Sequence, residues 1–334
     1  MTNCLLYGAT GYSGSRIARA ARRAGLAPIL AGRNPDSLRP LAKELGLPWR
    51  AAELSDTAAL CDIFQDVAVV LNCAGPFVDT HRPVLDACLR SGSHYLDISG
   101  EVAVYESLAA QQAAALKANI MLMPGIGFDM VPGDCLALGL QQRLPDATEL
   151  CVAYSIHGSV SRGTLRSMPS GNTVLLRRAN ALIADPAPQA KRFQFDLSDP
   201  QSRVDCQPLS FGDISIAWRS TGIANIRSYM HVSEQFQAMA MAAASGDIDT
   251  LPAGPDDAEL RAEKAYIAAE IRNAQGDCRR ASMALPHLYQ ATFDCATEIL
   301  KRSVAGETRP GFQTPAGLFG TALIEQLGYD CQWE

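Results

Sequence analysis

Hydrophobic residues come in short bursts over the first third of the chain, and each burst ends in a polar, glycine-bearing stretch. The bursts are Cys4–Tyr7, Pro28–Arg33, Pro48–Leu54, Val67–Cys73, His94–Ile98 and Ile120–Met123. Between them, apolar residues recur every three or four positions, which predicts helices over 15–25, 36–46, 56–66, 80–91 and 104–118. Asp36 is the expected cap of the second of these. Val67–Cys73 is apolar almost without a break, as a strand covered on both faces should be. Strands alternating with helices predict an α/β fold, a doubly wound parallel sheet.

The pattern changes near residue 130. A helix is expected over 132–144, then a strand over 148–157 and a polar turn at Ser159–Thr164 leading into a helix to about 184. Residues 185–209, broken by proline and charge, read as loop or sheet edge. Residues 213–221 and 225–232 read as a hairpin around Gly222-Ile223-Ala224, and 246–257 as a linker. A second hairpin pairs 264–271 with 278–285, and 287–304 reads as a helix. Gly311-Phe312-Gln313-Thr314-Pro315 then opens a last helix, expected to fold back onto the first domain. The expected division is 1–130, a nucleotide-binding domain; 131–310, an α+β domain with antiparallel strands; and 311–334, the returning helix.

The chemistry starts at the first strand end. Gly8-Ala9-Thr10-Gly11-Tyr12-Ser13-Gly14 follows a strand and opens a helix, the context a dinucleotide fingerprint needs. Gly8 allows the tight turn, Gly11 lets backbone approach a pyrophosphate, and Gly14 lets the helix pack close to the sheet. Amides at the helix start, with the positive end of its dipole, hold the phosphates. The second strand ends Ala31-Gly32-Arg33-Asn34, without the acid that takes a ribose 2′-hydroxyl in an NAD site. A guanidinium there suits a 2′-phosphate, so NADP is the expected cofactor. The competing reading leaves Arg33 solvated and turns Asp36 toward the ribose. Six polar segments, 8–14, 32–34, 53–56, 73–77, 97–101 and 125–129, fall at the strand ends, where ligands of such sheets lie.

Composition narrows the partners. Of 334 residues, 48% are apolar and 19% charged, which fits a globular protein with a substantial core. A net charge of −6 leaves no basic footprint, so nucleic acid is not expected. No apolar run approaches a membrane span of about 20 residues, and no basic-then-apolar leader is seen, so a cytoplasmic protein is expected. The ten cysteines form no CxxC pair and the five histidines no zinc-type spacing, which predicts free thiols and no metal. A small-molecule substrate is the expected partner, and a homodimer is left open.

Taken together, the motifs resemble the saccharopine dehydrogenase-like oxidoreductases, in the branch that contains the trans-acting enoyl reductases. The residues that carry the resemblance are Gly8–Gly14, Ala31–Arg33, Cys73-Ala74-Gly75-Pro76-Phe77, Tyr95–Glu101, Gly127–Asp134, Ser161–Thr164 and, more weakly, Thr314–Ala316. The resemblance implies a Rossmann domain carrying NADP and a smaller α+β domain closing over the nicotinamide. It places Gly8, Gly11, Gly14 and Arg33 on NADP, with Gly75 and Pro76 along the cofactor toward the nicotinamide. Thr10, Tyr12, Ser13 and Ala74 complete the expected cofactor set. The family has no universal catalytic base, and the middle third departs from the enoyl reductase pattern, so no substrate is named.

Hydride transfer needs position more than a nucleophile. Asp97 and Glu101 flank Ser99-Gly100 and are candidates to tune or shuttle a proton; the alternative has Glu101 capping the next helix and Asp97 bonding loop amides. Asp129 is a candidate on the same terms, against a helix-capping role. His157 is either an acid or an ordinary surface or core histidine. Ser161, Arg162 and Thr164 suit a substrate carboxylate or carbonyl, against ordinary turn chemistry. The expected substrate location is among 97–101, 125–129 and 159–164, with Arg162 their only cation. The expected function is an NADPH-dependent reductase of a C=C, C=O or C=N bond. The alternative, favoured by the lack of an evident Tyr-x-x-x-Lys pair, is an NADP-binding regulatory or scaffold protein without turnover.

Overall fold

The computed structural model describes residues 3–128, 130–167, 173–244, 246 and 248–334. It divides into two compact units, Met1–Gly127 with Thr292–Gln313, and Phe128–Ala291 with Thr314–Glu334.

In the first unit the elements are β1 (Cys4–Tyr7), α1 (Tyr12–Arg23), β2 (Ile29–Gly32), α2 (Pro35–Leu45), β3 (Trp49–Ala51), α3 (Thr57–Ile63), β4 (Val69–Asn72), α4 (Phe77–Ser91), β5 (His94–Asp97), α5 (Val102–Ala109), α6 (Gln112–Ala118) and β6 (Met121–Met123). The sheet runs β3-β2-β1-β4-β5-β6, all parallel, and gains a seventh strand, Gly311–Phe312, beyond β6. The chain steps outward from β1 to β3 and returns to the other side of β1 at β4. This reversal opens a crevice at the carboxyl ends of β1 and β4, the place where such sheets take ligands. β1, β2 and β4 are buried along their whole length. Leu5, Tyr7, Val70 and Tyr95 from the sheet pack with Leu60, Val84, Leu85 and Leu108 from the helices. Burying each such side chain contributes roughly 1.5–3 kcal/mol.

Several boundaries differ from the sequence expectation, each for a local reason. α1 begins three residues early, because Gly11 is its N-cap in extended backbone. Asn34, not Asp36, caps α2: its Oδ1 accepts the Asp36 amide at 2.9 Å, and Pro35 takes the first turn. The single helix expected over 104–118 is two, α5 and α6.

The second unit holds α7 (Val131–Arg143), β7 (Glu149–Ile156), α8 (Arg162–Ser167), β8 (Leu175–Arg178), β9 (Ala181–Ala184), β10 (Lys191–Gln194), β11 (Arg203–Leu209), α9 (Asp213–Thr221), β12 (Asn225–Val232), α10 (Glu234–Ala244), α11 (Asp257–Ala262), β13 (Lys264–Arg272) and β14 (Cys278–Pro286). α12 (Leu288–Val304) carries the division between the units; β15 is the strand Gly311–Phe312 already placed in the first sheet; α13 (Pro315–Phe319), α14 (Ala322–Gln326) and β16 (Cys331–Trp333) end the chain. The sheet order is β10-β11-β12-β7-β13-β14-β16. It is mixed rather than antiparallel throughout, since β12 runs parallel to β7.

Here the expectations miss more. Residues 213–221 are a helix, not a hairpin strand: Ile214, Ser215, Ile216 and Ala217 are all buried, so their short alternation carried no facing information. The helix expected to reach 184 is described over Arg162–Ser167, residues 168–172 lie outside the described residues, and Leu175–Arg178 and Ala181–Ala184 form a hairpin of β8 and β9 instead. The terminal helix does not return to the first domain. Only Gly311–Gln313 joins that sheet; α13 belongs to the second unit, where the Ala316 amide donates to Asp134 Oδ2 at 2.8 Å.

That carboxylate belongs to a buried acidic pair. Asp134 and Asp213 are each 1% exposed. Tyr154 donates to Asp213 Oδ1 at 2.7 Å and Ser228 to Oδ2 at 3.1 Å. Burial raises Asp134 to about 6 and Asp213 to about 7, with the charge of Asp134 adding to the second shift.

Candidate functional site

The glycine turn between β1 and α1 has three glycines in three different situations. Gly8 has φ +80°, and a Cβ there would lie 2.6 Å from the Ala74 amide nitrogen. A Cβ on Gly14 would lie 2.2 Å from the Gly8 carbonyl oxygen. Both are glycine for reasons internal to the protein: a left-handed turn and a helix seated on the strand end. Gly11 is different. Its φ of −69° and ψ of 169° suit any residue, and a Cβ would meet only the Gly8 oxygen, at 3.3 Å. The protein thus leaves open, over an exposed turn, a space that a side chain would fill. First-turn amides have no acceptor within their own helix, and among the described residues the Ser13 and Gly14 amides make no hydrogen bond. Thr10 is exposed beside them; Tyr12 lies under the Arg16 guanidinium at 5.0 Å and against the Phe293 ring at 6.3 Å. Open space and free donors at a helix start fit a bound pyrophosphate.

At the end of β2, Arg33 is exposed and makes no hydrogen bond or ion pair among the described residues. Asp36, the competing ribose partner, is paired with Arg39 at 3.0 Å. On the other side of β1, the segment Ala74-Gly75-Pro76 follows β4, with Gly75 exposed and Ala74 against Gly8.

The two carboxylates stand at the end of β5 and the start of α5, and the structure gives them different surroundings. Asp97 is fully buried, and its oxygens accept from the Tyr95 hydroxyl at 2.7 Å, the Ser99 hydroxyl at 2.6 Å, the Ser99 amide at 3.0 Å and the Gly125 amide at 2.9 Å. It ties the end of β5 to the end of β6. Burial pushes its pKa up, against those hydrogen bonds. Glu101 stands at the N-cap of α5, yet its side chain does not cap the helix. One oxygen accepts the Gly100 amide at 2.9 Å; the other, Oε1, is buried and has no hydrogen-bond partner among the described residues. Burial raises its pKa, opposed by the Gly100 amide and reinforced by the charge of Asp97. Two carboxylates four residues apart look alike in sequence; only burial and bonding tell them apart.

Asp129 lies outside the described residues. In the second unit, Ser161 is buried and its Oγ accepts the Thr164 amide at 3.1 Å, while the Tyr289 hydroxyl lies 2.5 Å from Thr164 Oγ1 and accepts the Ser161 amide at 2.8 Å. Arg162 opens α8. Glu259 accepts the Ser159 hydroxyl at 2.8 Å. Nothing in the sequence flagged Tyr289 or Glu259 as partners of this turn, for both lie far along the chain. His157 sits 3.1 Å from Ser155 Oγ, with its ring against those of His231 and Tyr266. All ten cysteines are free thiols, no group of metal-ligating side chains occurs among the described residues, and no described helix is long and apolar enough to cross a membrane.

Comparison with known proteins bears on the first unit above all. Residues 4–123 match the family model described as the saccharopine dehydrogenase NADP binding domain. A trans-acting enoyl reductase of Mycobacterium leprae (strain TN) is 32% identical over 216 residues, 61% of this chain and 50% of that protein. Another from Mycobacterium ulcerans (strain Agy99) is 34% identical over 140 residues, 39% of this chain and 33% of that protein. The alignments thus span half or less of these relatives' own length. Among solved structures, apo saccharopine dehydrogenase (L-Glu forming) from Saccharomyces cerevisiae shares the fold, with a TM-score of 0.67 over 100% of both chains at 13% identity. Residues 4–123 are thus similar to the saccharopine dehydrogenase NADP binding domain, and the chain as a whole shares the fold of saccharopine dehydrogenase.

Proposed function

We propose that this protein is an NADPH-dependent oxidoreductase that reduces a C=C, C=O or C=N bond. The observation that carries the reading is Gly11, a glycine whose backbone angles suit any residue and whose Cβ would meet only the Gly8 oxygen, at 3.3 Å, at a helix start with free amides. Thr10–Gly14 would hold the pyrophosphate, Arg33 the 2′-phosphate, and Ala74, Gly75 and Pro76 the stretch toward the nicotinamide. When bound, the cofactor supplies the hydride. Relatives named as enoyl reductases favour a conjugated double bond among the three substrate classes.

The chain's own part is to hold groups and move a proton. Glu101 is our assignment for the proton-holding group: its carboxyl is shifted toward the neutral form by burial, and Oε1 has no hydrogen-bond partner among the described residues. Asp97, with every oxygen taken, is a positioning residue that fixes the β5 and β6 ends. Arg162 is our assignment for an anionic or carbonyl group on the substrate.

A screen of enoyl, carbonyl and imine compounds for oxidation of NADPH tests the reading. Turnover with one class supports it and names the substrate. Tight NADPH binding with no turnover across all three favours the regulatory alternative.

A further inference from the structure

The chain holds one residue of the crevice wall, Ala74, by both its amide and its carbonyl. Asn72 closes β4 and is fully buried. Its Oδ1 accepts the Ala74 amide at 3.0 Å, and its Nδ2 donates to Thr80 Oγ1 at 3.2 Å. Thr80, in the first turn of α4 and 5% exposed, donates that hydroxyl to the Ala74 carbonyl at 2.5 Å. The three groups form a closed ring of hydrogen bonds, and every donor in it points one way. Ala74 in turn is the residue against which Gly8 is seated. The same residue therefore fixes the spacing between the Gly8–Gly14 turn and the Ala74–Pro76 segment.

Those two segments are the walls of the crevice at the β1–β4 reversal. The pyrophosphate donors lie at the α1 start, and Arg33 lies on the β2 side of β1. An extended dinucleotide anchored there must lay its other half on the β4 side, along Ala74–Pro76. We propose that Asn72 and Thr80 are positioning residues for the nicotinamide half of the cofactor, acting through Ala74. The adenine half does not touch this wall and is indifferent to it. The proposal rests on the NADP reading of the crevice.

The test compares two probes. NADPH reports both halves of the site; adenosine 2′,5′-bisphosphate reports only the adenine half. Thr80→Val keeps the shape of the side chain and removes the hydroxyl, and Thr80→Ser restores it. For Thr80→Val, NADPH affinity falls about tenfold, the scale of one hydrogen bond, while adenosine 2′,5′-bisphosphate binds as in wild type. Thr80→Ser returns NADPH affinity to within about twofold of wild type by the same reasoning. Asn72→Ser, which keeps a short acceptor near the Ala74 amide but cannot reach Thr80, reproduces the split if Thr80→Val fails to fold. Equal weakening of both probes, or unchanged NADPH affinity in a folded variant, overturns the proposal. If wild-type protein binds neither probe, the cofactor reading fails first and this inference with it. A purely structural role lowers the melting temperature without separating the probes.

Discussion

Gly11→Val tests the cofactor crevice with little disturbance of the fold. The backbone at position 11 is already extended, at φ −69° and ψ 169°, so valine adopts it without strain. Its Cβ meets the Gly8 oxygen at 3.3 Å, a contact relieved by a small shift. Valine is a poorer N-cap than glycine, a loss of up to about 1 kcal/mol. Restricting the unfolded chain returns about 0.4–1 kcal/mol. The two nearly cancel, and the melting temperature should move by no more than about 4 °C. Binding is another matter. Three carbons now fill the space open to the pyrophosphate, and losing even one or two charge-assisted amide–phosphate bonds costs about 3 kcal/mol, a hundredfold or more in Kd. Gly14→Ala is the matched control. Its Cβ would lie 2.2 Å from the Gly8 oxygen, so α1 must lift off the sheet, which typically costs about 1–3 kcal/mol. The assays are thermal unfolding without ligand and titration with NADPH by fluorescence. Gly11→Val should bind poorly and melt normally; Gly14→Ala should melt early. A folded Gly11→Val that binds NADPH like wild type would refute the reasoning and move the phosphate site elsewhere.

Other outcomes follow from the same geometry. Wild-type protein should bind NADPH more tightly than NADH, and Arg33→Ala should remove about 1.5–3 kcal/mol of that preference, the worth of a hydrogen bond to a charged group; equal affinities in wild type would undo the 2′-phosphate assignment. Once a substrate is found, Glu101→Gln should lower kcat while leaving NADPH affinity within about twofold, since only a transition-state interaction is lost; an unchanged kcat removes Glu101 from the chemistry. Arg162→Ala should raise KM or lower turnover at unchanged NADPH affinity, and a normal KM and kcat would end its assignment. Asp213 is held near 7, above the usual carboxylate range, so its contribution to stability is complete below about pH 4 and is lost as pH rises through about 7. Asp213→Asn, neutral at every pH, should therefore be more stable than wild type at pH 8, with the gap closing toward pH 5. Chemical denaturation at both pH values checks it, and a gap that does not change with pH would show that Asp213 does not titrate in that window.

The site was legible in sequence wherever its signal is local. The glycine spacing, the missing acid at Arg33 and the polar strand ends each depend on a few consecutive residues. The difference in bonding between Asp97 and Glu101 was not legible. Asp97 is saturated by Ser99 and by Gly125 just after the next strand, and Glu101 Oε1 has no such partner among the described residues. Asn72 and Thr80 were missed because an asparagine and a threonine eight residues apart carry no signal until a strand, a turn and a helix bring them onto one residue, Ala74.

By itself, the sequence determined the parallel α/β unit. Its strands are short apolar runs that need cover on both faces, and its helices carry apolar spacing, with side-chain caps from Asn34 on α2 and Asp56 on α3, so local pattern and global fold agree. Tertiary structure decided the second unit. Ile214-Ser215-Ile216 alternates like a strand but is buried on every side, so packing overrode the period and made a helix. β12 lies parallel to β7, which no short-range signal encodes. The last residues divide their allegiance for the same reason. Gly311–Gln313 completes the first sheet, while α13 is held in the second unit by Asp134, a carboxylate far earlier in the chain. A periodicity can say that a segment has a buried face; only the partner that covers it says where the segment goes.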